Sequence, residues 1–225
     1  HTLIEATGES DCCVPMALKP YQSDRHIQSH ITQIDHIVLN VAQGKLDTAV
    51  KLYQELFNFK VQQSFKIETN SSGLTSQALI DDVGEVQFNI NQPTTANSQI
   101  QEFIDVNGGS GIQHLALRSQ NLIADVAQMQ ERLKFLAVPQ AYYDCLKPLL
   151  SLNAAEKAAV AQQQILVDSD WTSPHSLLMQ IFTQPIFEQP TFFLEFIERR
   201  HSAQGFGQGN FQALFEAIEE YNNST

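Results

Sequence analysis

One arrangement, a strand, a helix and then three strands, runs twice along this chain, and a repeat of that kind leaves few folds open. Residues 32–41 have the character of a strand, and Lys45–Phe57 places Leu46, Ala49, Val50, Tyr53, Leu56 and Phe57 on one helical stripe after a break at Gly44. Strands are predicted at Lys60–Glu68, Thr75–Ile80 and Glu85–Ile90, separated by turn-forming Asn, Asp, Ser and Gly residues at 70–73 and 81–84. The order then restarts. A strand is predicted at 111–118, a helix at Asn121–Leu133, and strands at 164–167, 176–183 and 191–198. A shift of 78 positions lays Ile34, His36 and Leu39 on Ile112, His114 and Leu117, and Asp47, Ala49 and Phe57 on Asp125, Ala127 and Phe135. The expected fold class is α+β. Two βαβββ modules, about 32–92 and 111–199, form a curved open barrel in which two facing sheets aim side chains at one interior point.

Three stretches lie outside this pattern. Residues 1–31 lack periodicity after a strand-like His1–Glu5 and carry Gly8, Pro15 and Pro20, so they read as a linker. Within the second copy, Ala141–Leu150 and Ala154–Gln164 are predicted as inserted helices. After Gly205-Phe206-Gly207-Gln208-Gly209-Asn210-Phe211, a closing helix within 208–222 aligns Phe211, Leu214, Phe215 and Ile218 on one face. A glycine-rich hinge before an aromatic-faced helix suits a lid. These glycines do not follow a strand and open a helix as a dinucleotide-binding turn would.

The chemistry is announced by polar residues in apolar surroundings. Glu195 sits in Phe192-Phe193-Leu194-Glu195-Phe196-Ile197, where an unpaired buried carboxylate would cost several kcal/mol or take up a proton. His36, in Ile34-Asp35-His36-Ile37-Val38-Leu39, and His114, in Ile112-Gln113-His114-Leu115-Ala116-Leu117, share that setting at equivalent repeat positions. Any one of them alone would read as a satisfied core group or, for Glu195, as a carboxylate near Arg199 and Arg200. Together, two imidazoles and one carboxylate form a set that holds a non-haem Fe(II) with positions left open, though Zn, Mn or Co would also bind it. His1, His26, His30, His175 and His201 lie in polar or loop-like contexts, and most of them read as surface residues.

Composition narrows the partners. The chain of 225 residues carries a formal net charge of −12, with a pI near 4.9, which repels nucleic acid and anionic membrane. No apolar run reaches the roughly 18 residues of a membrane helix. Cys12, Cys13 and Cys145 supply neither metal spacing nor a disulfide framework, so a reducing, cytoplasmic setting is expected.

Five segments resemble one enzyme family, 4-hydroxyphenylpyruvate dioxygenase of the vicinal oxygen chelate superfamily. They are Ser98–Phe103, Asn107–His114, Leu178–Thr183, Phe193–Arg199 and Gly205–Phe211, and the likeness runs in order from about Ile34 to Tyr221. The resemblance implies a catalytic domain over 32–225, with 1–31 as linker and remnant of an amino-terminal module that family members carry. It implies His36, His114 and Glu195 as ligands of Fe(II). It also implies a small 2-oxo acid substrate, 4-hydroxyphenylpyruvate, converted with dioxygen to homogentisate and carbon dioxide in tyrosine catabolism.

By the same resemblance Ser76, Asn91, Gln99, Gln113 and Gln180 hold the polar parts of the substrate. Phe182, Phe206, Phe211 and Phe215 wall its ring, and Asn210 fastens the closing helix. Strict strand alternation sets Gln113 on the face opposite His114, which argues against its contact with substrate. Asn89 stands where the family commonly has proline, and Leu194 where it has phenylalanine. Two other readings share the fold: a 4-hydroxymandelate synthase acting on the side-chain carbon, and a non-catalytic binding domain. Apolar surface exposed without the amino-terminal module predicts poorer stability or altered association, homo-oligomers included.

Overall fold

The computed structural model describes residues 29–68, 73–84, 86–144, 152–168, 176–189, 191–211 and 213. Its centre is the seam between β1 (Ile31–Asn40) and β5 (Gly111–Ser119), which pair antiparallel. The first half continues through α1 (Leu46–Phe57), β2 (Lys60–Glu68), β3 (Gly73–Ile80) and β4 (Gln87–Pro93), and β4 returns to lie parallel to β1. The second half repeats this. After β5 come α3 (Leu122–Met129), α4 (Gln140–Asp144), α5 (Ala154–Gln162), β6 (Leu166–Asp168), β7 (Leu177–Phe182) and β8 (Phe193–Arg200), with β8 parallel to β5. The strand order is β2-β3-β4-β1-β5-β8-β7-β6, symmetric about the seam. The two modules are therefore halves of one mixed eight-stranded sheet curled into a half-barrel, joined edge to edge, and not two separate facing sheets.

Helices cover the convex side. α1 buries Leu46, Val50 and Tyr53 against Val41, Leu79, Phe88 and Ile90, while Leu56 and Phe57, expected on the same stripe, are exposed. In the second half Leu122, Val126 and Val160 pack on Val167, Leu177, Met179, Ile181 and Phe196. The concave side is left free for a site.

α2 (Gln99–Asn107) is a helix that the strand and helix pattern did not single out. Its signals are nonetheless present. Ser98 caps it by accepting from Ile100 N–H at 3.2 Å, Gly108 ends it with φ of 73°, and Ile100, Phe103 and Ile104 share a face. That face packs on Leu74, Phe65 and Ile67 and closes one end of the concave side. The segment from His1 to Gln28, part of the first inserted helix, and the closing helix beyond Ala213 fall outside the described residues, as do all three cysteines.

Two irregularities in the seam matter for the site. Ile34 pairs with Leu117 and His36 with Ala116, so Asp35 is an extra residue on β1. Val38 pairs with His114 and Leu39 with Ile112, so Gln113 is an extra residue on β5. Each is a β-bulge, which breaks the alternation of faces and re-aims the side chain it carries.

Candidate metal centre

Register brings the three buried residues together. His36 on β1 is opposite Ala116 on β5, and Ala116 is opposite Glu195 on β8. His36 and Glu195 thus lie two strands apart, about 10 Å along the sheet at the usual spacing. Only Ala116, fully buried, stands in the row between them. Its single methyl leaves room for both side chains to close over it. His114 enters from two residues away on β5. The His36 and His114 Nε2 atoms lie 3.3 and 3.4 Å from Glu195 Oε2, and the three donor atoms are all within 4.8 Å of one another.

These distances fit one ion. Donors bound about 2.0–2.2 Å from a common metal at near right angles are about 3 Å apart. The ligand chemistry agrees. Asp35 is held by Arg118 and Arg199, at 2.7–2.8 Å, and accepts from His36 Nδ1 at 2.9 Å. That bond leaves His36 Nε2 directed at the centre. Neighbours on a regular strand point to opposite faces, so the bulge at Asp35 is what allows this contact.

Electrostatics favour a proton where a cation would sit. Burial alone would lower the basicity of His36, but the Glu195 charge and the Asp35 hydrogen bond outweigh it and push its pKa up to about 9. Burial would raise Glu195, yet the charge of His36 and the hydrogen bonds of both histidines hold it below the usual carboxylate range. His114 is lowered by burial, which its Glu195 contacts only partly offset, and its Nδ1 has no hydrogen-bond partner among the described residues. Burial also opposes ionisation of Asp35, but Arg199 and His36 keep it well below the ordinary range.

A cavity of about 580 Å³, counting its mouth, opens above these donors. Asn91, Gln99, Gln113, Gln180, Phe182, Phe206 and Phe211 line it, together with Asn89, Phe65 and Phe193, which sequence reasoning had not assigned to the site. Gln113 shares the cavity with His114 because of its bulge, against the expectation from alternation.

Ser76 and Asn210 stand outside the lining. Ser76 is fully buried opposite Asn91 on β3, and its hydroxyl has no hydrogen-bond partner among the described residues. Asn210 donates to Gln180 Oε1 at 3.2 Å and accepts from Tyr142 O–H at 2.7 Å, so it braces the glutamine from behind. Gln180 Nε2 in turn lies 3.5 Å from Glu195 Oε1. Phe215 lies outside the described residues. His30 is half-buried and paired with Asp125 at 2.9 Å, His201 is exposed, and His1, His26 and His175 lie outside the described residues.

The sheet order, the paired strand-helix-strand-strand-strand units and the three convergent donors agree with a sequence match. Residues 33–145 match the profile of the Glyoxalase/Bleomycin resistance protein/Dioxygenase superfamily. The chain belongs to that superfamily. Among its superfamily relatives, an uncharacterized protein of Synechocystis sp. is 46% identical over 84% of this chain and 57% of its own length. A 4-hydroxyphenylpyruvate dioxygenase of Legionella pneumophila is 38% identical over 88% of this chain and 56% of its own. A variant of 4-hydroxymandelate synthase from Streptomyces coelicolor superposes with a TM-score of 0.76 at 27% identity, over 85% of this chain and 56% of that one. The chain spans about half the length of the curated relatives it matches. Within the superfamily fold, Asp35, Arg118, Tyr142 and Ala116 support the centre without having stood out in the sequence, and Arg199, noted there as a neighbour of Glu195, pairs with Asp35.

Proposed function

We propose that this chain is the metal-binding catalytic part of a 4-hydroxyphenylpyruvate dioxygenase, with His36, His114 and Glu195 as ligands of Fe(II). The observation that carries the reading is the convergence of two imidazoles and one carboxylate, all buried, beneath a cavity of amides and aromatic rings. Three protein donors leave part of a six-position shell for a chelating guest. Bound ferrous iron would supply the electrons that activate dioxygen and a chelation point for a 2-oxo acid.

The remaining work falls to the chain itself. Asp35 fixes the His36 tautomer, and Ala116 keeps the row between His36 and Glu195 clear. Gln99, Gln113 and Gln180 offer amides that both donate and accept, which suits a phenolic hydroxyl and adds no charge. Asn91 is steadied by Asn40, whose Oδ1 it meets at 3.3 Å. Phe182, Phe206 and Phe211 enclose the ring and exclude water. The overall reaction is balanced as 4-hydroxyphenylpyruvate and dioxygen giving homogentisate and carbon dioxide, with one oxygen atom entering the ring and one the new carboxylate.

The likeness to 4-hydroxymandelate synthase favours a second reading, oxygenation at the side-chain carbon. Phe182 and Asn91 resemble the ring-hydroxylating enzymes and support the first. Dioxygen uptake with 4-hydroxyphenylpyruvate and ferrous iron, followed by product analysis, separates the two. Homogentisate is expected, and 4-hydroxymandelate would favour the second reading. Uptake is expected to vanish in Glu195→Ala and to persist in His201→Ala. Equal rates in the two variants would overturn the assignment of Glu195.

A further inference from the structure

Arg199 lies four residues beyond Glu195 on β8, and its guanidinium works in two directions. Nε and Nη2 donate to the two Asp35 oxygens at 2.8 and 2.7 Å, the forked pairing that arginine makes with a carboxylate. Nη1 donates to the backbone carbonyls of Ala203, at 3.2 Å, and Gly205, at 2.7 Å. The side chain is buried, with 8% exposure, so each of these bonds is made away from water.

The segment that Nη1 holds carries part of the cavity wall. Gly205 and Gly207 take left-handed backbone conformations, with φ of 83° and 70°. Between them Phe206 lines the cavity and meets the His36 ring edge-on, with centroids 5.2 Å apart. One guanidinium therefore bonds both the carboxylate that orients His36 and the segment that lays an aromatic ring against the same imidazole.

We propose that Arg199 is a positioning residue that couples closure of residues 203–207 over the cavity to the orientation of His36. Moving the segment away takes both carbonyl acceptors from Nη1. The buried guanidinium must then leave an N–H unpaired or shift, and a shift turns Asp35 and the ring it holds. Binding that fixes His36 accordingly favours the closed segment, and the closed segment favours binding, by the same factor. Arg118 supplies an internal comparison. It bonds Asp35 Oδ2 at 2.7–2.8 Å from β5, yet among the described residues it bonds nothing in 203–207. The inference rests on the metal-centre reading given above.

The test is amide hydrogen exchange of residues 203–207 with and without Co(II), alongside Co(II) affinity from chelator competition. In the unaltered protein Co(II) is expected to slow exchange there at least about fivefold. Arg199→Gln and Arg118→Gln each remove donors from Asp35, and each is expected to weaken Co(II) binding about tenfold. Only the Arg199 change should abolish the Co(II)-dependent protection at saturating metal. Arg199→Lys keeps a charge facing Asp35 but not the fork, so it carries the same expectation where the glutamine variant does not fold.

Protection retained in the Arg199 variants, or lost equally in Arg118→Gln, would overturn the coupling. His36→Ala, run in parallel, separates this from a failure of the metal site. Unchanged Co(II) affinity in His36→Ala defeats the metal reading itself. Loss of Co(II) there, with protection intact in Arg199→Lys, defeats only the role of Arg199.

Discussion

Ala116 pairs with His36 across the β1–β5 seam and, on its other side, with Glu195 of β8, so a methyl group is all that stands between two metal-ligating candidates. Ala116 also touches Leu178, Ile197 and Ala203, with no exposed surface. The spacing of the site depends on how little that position occupies.

Enlarging Ala116 should therefore damage the centre more than the fold. Ala116→Leu is expected to destabilise the protein by about 1–3 kcal/mol through overpacking. It should also reduce metal affinity at least about tenfold, because the added side chain enters the space that His36 and Glu195 share. Calorimetric metal titration beside thermal unfolding checks this. Wild-type affinity in a destabilised variant would show that the row has slack.

The metal-free protein should lose stability toward alkaline pH. His36 has an unfolded value near 6.5 and a folded one of about 9, so its stabilising contribution is complete below 6.5 and disappears as pH rises through 9. The total is about 3 kcal/mol by linkage. His114 is shifted the other way and acts below 6.5, outside this window. Denaturant midpoints between pH 6.5 and 9.5 measure the loss, and His36→Gln should flatten it.

Metal binding should show the same proton in reverse. A ligand on His36 Nε2 displaces the proton held there, so apparent metal affinity should rise with pH, by at most about tenfold per unit, until about 9. Affinity measured in buffers of different ionisation enthalpy reports the released proton directly. A flat profile across pH 6.5–8.5 would contradict a protonated His36 in the metal-free centre.

While Gln180 keeps its place, Gly207 leaves no space for a side chain. Its φ is 70°, and a Cβ there would fall 1.7 Å from Gln180 Oε1. Gln180 would have to leave Asn210, and with it the neighbourhood of Glu195. Gly207→Ala is expected to raise KM by an order of magnitude, by about 1–2 kcal/mol of lost pocket order, and to destabilise the protein by about 1 kcal/mol or more. Steady-state kinetics with a melting curve distinguishes the two effects.

Glu198 makes a separate, structural prediction. It is buried, accepts from Leu122 N–H at the start of α3 at 2.7 Å, and pairs with Arg200 Nε at 2.6 Å. Glu198→Ala leaves a helix N-terminus and a guanidinium without that partner, for which about 3 kcal/mol of lost stability is expected. Metal affinity of the folded fraction should be unchanged, since Glu198 faces away from the donors that Glu195 joins.

The sequence by itself determined the two-module plan and singled out His36, His114 and Glu195. Both are local signals, a hydrophobic period repeated at a fixed shift and a polar side chain set in an apolar strand. The same kind of reading set Gln113 on the wrong face, passed over Asp35, Arg118, Tyr142 and Ala116, and put Arg199 beside Glu195, whereas it pairs with Asp35. It also made the halves two facing sheets where β1 and β5 join them into one. Those matters were decided only by tertiary structure. A bulge, a register and the space left by an alanine are properties of strands paired across 71 or more positions, and no periodicity within either strand encodes which residue its partner will skip.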